Sequence, residues 1–319
     1  MEPDGLPPEF SLIARHFRPL AGPGSRDLRD DVATLQPPPG RELVITADAM
    51  VAGVHFFADD PADSIGQKLL RVNLSDIAAK GAIPVGYLLT VSAPKTTDDA
   101  WFAGFAAGLA RDQREFAVTL LGGDTTSTPG PISLSLTLIG HVAPGRAPSR
   151  AGAGVGDEIW VTGTIGDGAL GLAVAQGRLE DPTGFLLDRY RLPQPRLGLH
   201  IGDYAAASMD VSDGLVQDLL HICRASELAA TVDAAAVPLS KVAHLAGPEW
   251  LTTCLTGGDD YEILMAVPAA QQATMLKDAA RAGIQVTRIG VFSVGATAVS
   301  VIGGDGQPLD LASGGWSHF

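Results

Sequence analysis

Apolar residues recur along this chain with two different periods, and segments of the two kinds follow one another from end to end. Residues 98–114 carry Trp101, Phe105 and Leu109 four positions apart, which predicts an amphipathic helix. Residues 132–142 alternate leucine with serine and threonine, which predicts a half-buried strand. Because helical and extended patterns alternate in both halves, the sequence predicts an α/β or α+β fold.

The remaining elements are predicted from the same two periods and from the glycine, proline and capping residues between them. Further helices are predicted at 9–17, 61–80, 168–176, 185–196, 198–207, 215–225 and 269–282, and further strands at 43–46, 87–93, 117–121, 158–162, 261–267 and 285–291. The segment 61–80 suits one or two helices, and Gly81 is predicted to end it in a left-handed conformation. Ser212 or Asp213 is predicted to cap the helix at 215.

A change of composition near the middle of the chain predicts two domains. Residues 143–156 are rich in proline, glycine, alanine and arginine, whereas the flanking segments are apolar and periodic. With 319 residues, of which 46% are hydrophobic, the chain can bury two cores. We therefore predict an N-terminal domain over 1–145 and a C-terminal domain over 146–319.

The charge balance limits the kinds of partner. The net charge of -14 argues against nucleic acid or an anionic membrane as a binding partner. An acidic protein also repels phosphate, so a phosphate substrate would require divalent cations to invert the local field.

Cysteine usage and the N-terminus point to one compartment. The two cysteines, Cys223 and Cys254, lie in apolar stretches without metal-binding spacing, which predicts buried, reduced thiols. Residues 1–8 lack a basic and then apolar succession, and no uncharged apolar run reaches the roughly 18–20 residues of a membrane span. The expected location is the cytoplasm.

Five acidic segments are predicted to lie where strands or helices give way to loops. They are Arg29-Asp30-Asp31, Thr46-Ala47-Asp48, Asn73-Leu74-Ser75-Asp76, Gly122-Gly123-Asp124-Thr125 and Asp210-Val211-Ser212-Asp213-Gly214. Singly, each has an ordinary explanation: a solvated loop, an exposed helix face, a glycine turn or a helix cap. Together they favour a shared site for Mg²⁺, which prefers oxygen ligands and usually binds with substrate phosphates.

One glycine-rich loop, Gly163-Thr164-Ile165-Gly166-Asp167-Gly168, is predicted between a strand and a helix. That context suits a phosphate cradle at a helix N-terminus, and it suits an ordinary tight connection equally well. The chain has no G-x-x-x-x-G-K-[ST] segment, so the usual lysine-bearing phosphate loop is excluded.

The acidic segments belong to a longer series of motifs that spans nearly the whole chain. The other members are Glu9-Phe10-Ser11-Leu12-Ile13, Val51-Ala52-Gly53-Val54-His55-Phe56, Val161-Thr162-Gly163, Gly257-Gly258-Asp259-Asp260-Tyr261-Glu262 and Trp316-Ser317-His318-Phe319. In this order they resemble the thiamine-monophosphate kinase family of the aminoimidazole-ribonucleotide synthetase superfamily. The Gly-Gly-Asp-Thr motif is shared across the superfamily, whereas Val-Ala-Gly-x-His-Phe and the aromatic ending are more specific to the kinases.

The resemblance implies a fold, an assembly and a reaction. The fold is that of the aminoimidazole-ribonucleotide synthetases: an N-terminal α+β domain whose sheet pairs across a homodimer, and a C-terminal α/β domain that completes an active-site cleft. The reaction is direct in-line transfer of the γ-phosphoryl group of ATP to thiamine monophosphate at a site with several Mg²⁺ ions. It gives ADP and thiamine diphosphate, as the last step of thiamine diphosphate biosynthesis.

The resemblance also implies a role for each matching residue. Mg²⁺ ligands are implied at Asp30, Thr46, Asp48, Asp76, Asp124, Asp210 and Asp213. ATP contacts are implied at Gly123, Asp124, Arg150 and Ser212, and thiamine monophosphate contacts at His55, Asp259 and Trp316. Trp316 would offer an aromatic face to the cationic thiazolium. No general base is assigned, because a phosphate monoester with a second pKa of about 6 is already largely ionised.

Three positions depart from the family pattern. Arg29 stands where glycine is usual, Ala47 where a hydroxyl residue is usual, and Asp259 where glutamate is usual. If Ala47 occupies the position of the hydroxyl ligand, Thr46 is not that ligand and the outermost metal binds more weakly.

Two other functions remain open from the sequence. One is an ATP-dependent enzyme of the same superfamily with a different acceptor; selenophosphate synthesis would need a reactive cysteine near the N-terminus, and the first cysteine is Cys223. The other is a catalytically silent dimer that binds Mg²⁺ and nucleotide. Release of ADP that depends on thiamine monophosphate distinguishes the kinase from both.

Overall fold

The computed structural model of the protein describes residues 7–311 and residue 315. The chain divides into two compact units. The first comprises Met1–Ile77 and Ile83–Val142, and the second comprises Ala78–Ala82 and Ala143–Phe319. Each unit contains one sheet with its own helices, which confirms the predicted two-domain α/β (α+β) class.

The first unit contains a four-stranded sheet with the order β1-β4-β2-β3. Its strands are β1 Glu42–Val51, β2 Ile83–Ala93, β3 Thr119–Ser127 and β4 Ser133–Val142. β4 pairs antiparallel with both β1 and β2, while β2 and β3 run parallel. The alternation predicted for β4 is observed, since Leu134, Leu136 and Leu138 are all fully buried on one face.

Helices cover the buried face of this sheet. They are α1 Pro8–Leu12, which continues as one turn of π-helix over Ile13–Phe17, α2 Ala62–Ala79 and α3 Asp99–Phe116. α2 and α3 approach closely at Gly66 and Gly108, where an added Cβ would lie 2.4 Å from Phe105 O and 2.0 Å from Asp63 O. A side chain at either glycine would therefore push the helices apart.

The second unit contains a six-stranded sheet with the order β10-β7-β9-β5-β8-β6. Its strands are β5 Glu158–Thr162, β6 Ala207–Asp210, β7 Ala229–Asp233, β8 Ile263–Val267, β9 Val286–Ser293 and β10 Val299–Ile302. Its helices are α4 Asp167–Ala175, α5 Phe185–Arg191, α6 Leu215–Ser226, α7 Lys241–Ala246, α8 Leu251–Thr256 and α9 Gln272–Ala282. Strand β8, which lies between β5 and β6, is buried at all five residues, as its uninterrupted apolar sequence predicts.

Several predicted bounds differ from the structure; the helix predicted at 185–196, for example, ends at Arg191. Three larger errors are explained by long-range pairing or packing. The helix predicted at 198–207 is a single 3₁₀ turn, Ile201–Asp203, and residues 207–210 form β6 because they pair with β8. The strand predicted at 43–46 extends to Val51, because β4 pairs with all ten residues of β1.

The third error is the glycine turn predicted at 122–124. β3 runs through these residues to Ser127, with Gly123 at φ +155°. A Cβ on Gly123 would lie 1.7 Å from Leu89 O, so this glycine permits β2 and β3 to approach each other rather than a change of direction.

Two other expectations, on the cysteines and on Gly81, are confirmed in the described residues. Cys223 and Cys254 are buried free thiols. Gly81 has φ +62° two residues beyond the end of α2, as predicted for a left-handed terminus. Among the described helices, none combines the length and apolarity that crossing a bilayer requires.

Candidate functional site

Three of the predicted metal ligands in the first unit lie on adjoining elements, β1 and α2. Thr46 Oγ1 donates to Asp76 Oδ2 at 2.5 Å, and the backbone N–H of Asp48 donates to Asn73 Oδ1 at 3.1 Å. Asn73 is fully buried and also donates to Leu69 O at 2.9 Å. Its amide therefore ties β1 to α2 and holds the oxygen atoms of Thr46 and Asp76 side by side.

The orientation of β1 decides which residue offers the hydroxyl. Successive side chains of a strand point to opposite faces. Thr46 is directed to Asp76, so Ala47 lies on the other, exposed face of the sheet. The absence of a hydroxyl at Ala47 therefore removes no oxygen from the neighbourhood of Asp76.

The sequence predicted that the acidic residues lie at the ends of strands and helices, but three of them lie inside these elements. Asp48 lies inside β1, Asp76 inside α2 and Asp124 inside β3, where it is exposed and pairs in register with Thr90. Those three placements correct the prediction, and long-range pairing sets the strand ends beyond the aspartates.

Asp30 has a different environment, in the loop that follows one 3₁₀ turn, Arg26–Leu28. All three residues of that turn have positive φ, between 53° and 57°. Arg26 Nη1 donates to Asp30 Oδ2, and this charged hydrogen bond lowers the pKa of the Asp30 carboxyl. The structure thus pairs Asp30 with an arginine rather than with the Thr46–Asp76 pair.

His55 lies in the turn after β1 with its tautomer fixed by the backbone. Its Nδ1 accepts from the N–H of Val51 at 3.0 Å. A neutral imidazole that accepts through Nδ1 carries its proton on Nε2 and donates from there. The buried Lys68 donates to His55 O at 3.2 Å and anchors the same turn, a contact that the sequence did not indicate.

In the second unit, one buried carboxylate shapes the predicted metal-binding loop. Asp218 Oδ2 accepts from three consecutive backbone N–H groups, those of Ser212 at 2.9 Å, Asp213 at 3.0 Å and Gly214 at 3.2 Å. The prediction that Ser212 or Asp213 caps α6 is therefore wrong. The cap position is Gly214, at φ 120°, and Asp218 from inside the helix satisfies the free amides.

The same loop brings a cluster of possible ligands together. Ligand atoms of Asp213, Asp218 and His221 all lie within 4.8 Å of one another. Burial, together with the Asp213 carboxylate, raises the pKa of Asp218 to about 7. Burial and the positive charge of Arg150 lower the pKa of His221, so Arg150 acts on this cluster as well.

The donor sets suit the metal that the sequence predicted. Thr46 and Asp76 in the first unit, and Asp210 and Asp213 in the second, offer the hard oxygen atoms that Mg²⁺ prefers. Asp218 belongs to the loop's own support, because one of its oxygens is already engaged by three amides.

The segment with Asp259 lies directly against this loop. Asp259 N donates to Ser212 O at 2.9 Å, and Tyr261 N donates to Val211 O at 2.7 Å. Gly258 fits beneath, since a Cβ there would lie 2.2 Å from Ser212 O. These contacts place Asp259 one hydrogen bond away from the Asp210–Gly214 loop.

The glycine-rich loop at 163–168 is an internal connection and not an open cradle. Asp260 is fully buried, and its carboxylate accepts from Gly166 N at 2.7 Å and Gly168 N at 3.0 Å. Burial raises the pKa of Asp260 well above its usual range. An acidic side chain of the protein itself thus occupies the position where a phosphate would bind the helix N-terminus.

A buried ion-pair network around Glu262 lies next to the glycine-rich loop. Glu262 accepts from Thr162 Oγ1 at 2.7 Å, from Arg196 Nε at 2.6 Å and from Arg189 Nη2 at 3.1 Å. The sequence showed Thr162 and Glu262 only as members of two motifs, with nothing to pair them across a hundred residues. Trp316, the remaining predicted contact, lies outside the described residues.

Comparison with known proteins identifies the family of this chain. The N-terminal domain of the AIR synthase related protein family matches residues 29–142, and the C-terminal domain matches residues 154–302. The thiamine-monophosphate kinase of Caulobacter vibrioides is 45% identical over 99% of this chain and 92% of its own length.

Two solved structures are similar to this chain in fold and in sequence. The crystal structure of thiamine-monophosphate kinase from Stenotrophomonas maltophilia K279a is 39% identical, with a TM-score of 0.80, over 88% of this chain and 90% of that one. The structure of AaThiL complexed with AMPPCP and TMP is 29% identical, with a TM-score of 0.78, over 91% of each chain.

Proposed function

This chain belongs to the thiamine-monophosphate kinase family, and from that membership we propose that it transfers the γ-phosphoryl group of ATP to thiamine monophosphate. The products are thiamine diphosphate and ADP. The observation that carries the proposal is the similarity of the whole chain to kinases of this name, together with a similar fold seen in a complex with AMPPCP and TMP.

Phosphoryl transfer between these substrates requires oxygen ligands for Mg²⁺ more than it requires a general base. Attack of one phosphate on another brings two polyanions together, and a monoester with a second pKa of about 6 is already ionised at neutral pH. Bound Mg²⁺ would neutralise this charge and align the attacking and leaving oxygens. The residues proposed to hold it are Asp30, Thr46, Asp48, Asp76, Asp124, Asp210 and Asp213, and several ions are proposed rather than one.

The chain's other residues bind and orient the two substrates. His55 donates from Nε2 to the thiamine monophosphate, a role that its fixed tautomer supports. Asp259 and Trp316 contact the thiamine portion. Gly123, Asp124, Arg150 and Ser212 contact ATP, and the arginine provides positive charge for its phosphates.

The first experiment detects the product directly. We expect thiamine diphosphate and ADP to appear in equal amounts, by chromatography, when the protein is incubated with ATP, Mg²⁺ and thiamine monophosphate. Omitting thiamine monophosphate or adding a chelator should stop ADP release. ADP formation that ignores thiamine monophosphate would indicate another acceptor, and ATP binding without any turnover would indicate a silent nucleotide-binding dimer.

We also propose a homodimer formed through the sheet of the first unit. Leu43 and Ile83 both lie beside His141 in register, and Ile45 and Leu88 share their face. The exposed fraction is 40% for Leu43, 55% for Ile83, 62% for Ile45 and 40% for Leu88. An apolar sheet face of this kind in water favours a second copy of the same face as its partner.

Replacing Ile45 with glutamate should dissociate the dimer. The two-fold symmetry would bury two like charges for one substitution, so we expect the dissociation constant to rise at least about a hundredfold. Sedimentation velocity over a concentration series measures this. Leu245→Glu is the matched control, because Leu245 is 86% exposed on α7 and lies outside the sheet. A wild-type protein that sediments as a monomer would contradict the proposal.

A further inference from the structure

Two residues in the segment 257–262 have a backbone conformation that L-residues seldom adopt. Asp259 has φ +70° and Tyr261 has φ +53°. A left-handed conformation is unfavourable for a residue with a Cβ. It persists only where contacts with the surrounding structure hold the backbone in place. The surroundings here include the loop that follows β6 and the start of α4.

The buried side chain between the two residues fixes this geometry. Asp260 points inward to the amides of Gly166 and Gly168, while the N–H groups of Asp259 and Tyr261 bind the loop that follows β6. Gly168 packs beneath, since a Cβ there would lie 2.1 Å from Asp259 O. The backbone on both sides of Asp260 is therefore held from two directions.

With Asp260 directed inward, the side chains of Asp259 and Tyr261 meet. The Tyr261 hydroxyl lies 3.1 Å from Asp259 Oδ1 and donates a hydrogen bond to it. A hydroxyl that donates to a carboxylate makes a charge-assisted bond, which restricts the rotation of the carboxylate about its side-chain torsions.

We propose that Tyr261 is a positioning residue that holds the Asp259 carboxylate in the orientation that receives the thiamine portion of the substrate. The inference rests on the proposed function, because Asp259 is the residue proposed to contact thiamine monophosphate. A carboxylate held in one orientation presents a fixed acceptor to the amino group or the cationic ring of that portion, and avoids an entropic loss when substrate binds.

The test is the Tyr261→Phe substitution, which keeps the aromatic ring and removes only the hydroxyl. We expect KM for thiamine monophosphate to rise about tenfold, the effect of losing one hydrogen bond to a charged group. KM for ATP and kcat at saturating substrates should stay within about twofold of the wild type, since the substitution leaves the Asp210–Gly214 loop intact.

A matched control separates positioning from a general loss of stability. Tyr204 also donates from its hydroxyl to a carboxylate, that of Asp278, at 3.3 Å in the same unit. Tyr204→Phe should leave KM for thiamine monophosphate unchanged. Thermal unfolding of both variants shows whether each is folded at the assay temperature.

A double-variant cycle with Asp259→Asn completes the test. If Tyr261 acts through Asp259, the Tyr261→Phe substitution should have less than a twofold effect on KM in the Asp259→Asn background. An unchanged KM in Tyr261→Phe, a drop in kcat alone, or the full tenfold effect in both backgrounds would overturn the inference while the wild type remains a kinase. A wild type with no turnover of thiamine monophosphate would overturn the proposed function itself, and the inference with it.

Discussion

Substituting asparagine for Asp76 is expected to lower kcat/KM for thiamine monophosphate about a thousandfold, with the protein still folded. Asp76 is half-buried in an otherwise buried stretch of α2 and accepts from Thr46 Oγ1 at 2.5 Å. Asparagine keeps an acceptor for that hydroxyl but removes the negative charge from the proposed metal ligand. Loss of one such ligand forfeits about 4 kcal/mol of transition-state stabilisation, the equivalent of three decades in rate.

Steady-state kinetics across a range of Mg²⁺ concentrations measures this effect and its origin. If Asp76 holds the metal, the variant should require more Mg²⁺ for its residual activity. Asp203→Asn is the control, because Asp203 is an exposed acid that pairs with Arg146 at 3.6 Å. Near-wild-type activity of Asp76→Asn at ordinary Mg²⁺ concentrations would remove Asp76 from the metal site.

The second large effect concerns the stability of α2, the helix that carries Asp76. Arg71 on α2 donates from Nε to Asp112 Oδ2 at 2.7 Å and from Nη2 to Oδ1 at 3.0 Å, and Gln67 donates to the same carboxylate at 2.8 Å. Asp112 is fully buried and Arg71 nearly so. Asp112→Asn would remove the buried counter-charge of Arg71 and leave only Glu115, which lies 3.1 Å from Arg71 Nη2 and is 52% exposed. Loss of the buried partner of such a pair costs about 3–5 kcal/mol.

Chemical denaturation of the purified protein would show this as a lower free energy of unfolding for the first unit. The neighbouring pair of Arg111 and Asp63 supplies the control, because these side chains are 46% and 40% exposed. Arg111→Met should change stability by less than about 1 kcal/mol, as for most surface ion pairs. Equal effects of the two substitutions would show that burial of the Arg71–Asp112 pair has no special weight.

Much of the fold could be predicted from local patterns. The apolar stripe in α3 is observed as a stack of Trp101 on Phe105, with centroids 5.1 Å apart, and Asp98 caps the helix through a bond from Trp101 N. Strand β5 is observed at the predicted residues. In these segments the side-chain period and the capping residue agree, so local sequence suffices.

Elsewhere the deciding partner is far away in the sequence. Whether residues 207–210 form a helix or a strand depends on β8, more than fifty residues later, with which they pair. The extension of β1 beyond Thr46 likewise depends on β4. The periodicity of a segment holds no information about a strand partner that is distant in sequence. Pairing with that strand overrides the local preference of the segment.

The candidate site divides along the same line. Short motifs indicated the aspartates that we propose as metal ligands, because hard oxygen ligands form a recognisable set. The residues that hold them did not stand out, since Asn73, Asp218 and Tyr261 act through contacts that exist only in the folded chain. Asp218, four positions from the loop it supports, resembles an ordinary helix carboxylate until its three amide bonds are seen.

The hydrogen bonds of Asp260 determine when the glycine-rich loop of the second unit becomes ordered. A loop that closes around a bound phosphate loses about 1–2 kcal/mol of conformational entropy for each residue it orders at that moment. Because the carboxylate that organises the Gly163–Gly168 loop is part of the chain, this ordering takes place during folding instead. The backbone next to Asp259 is thus ordered before any ligand binds, and under the proposed role of Asp259 the substrate would meet a surface whose shape is already set.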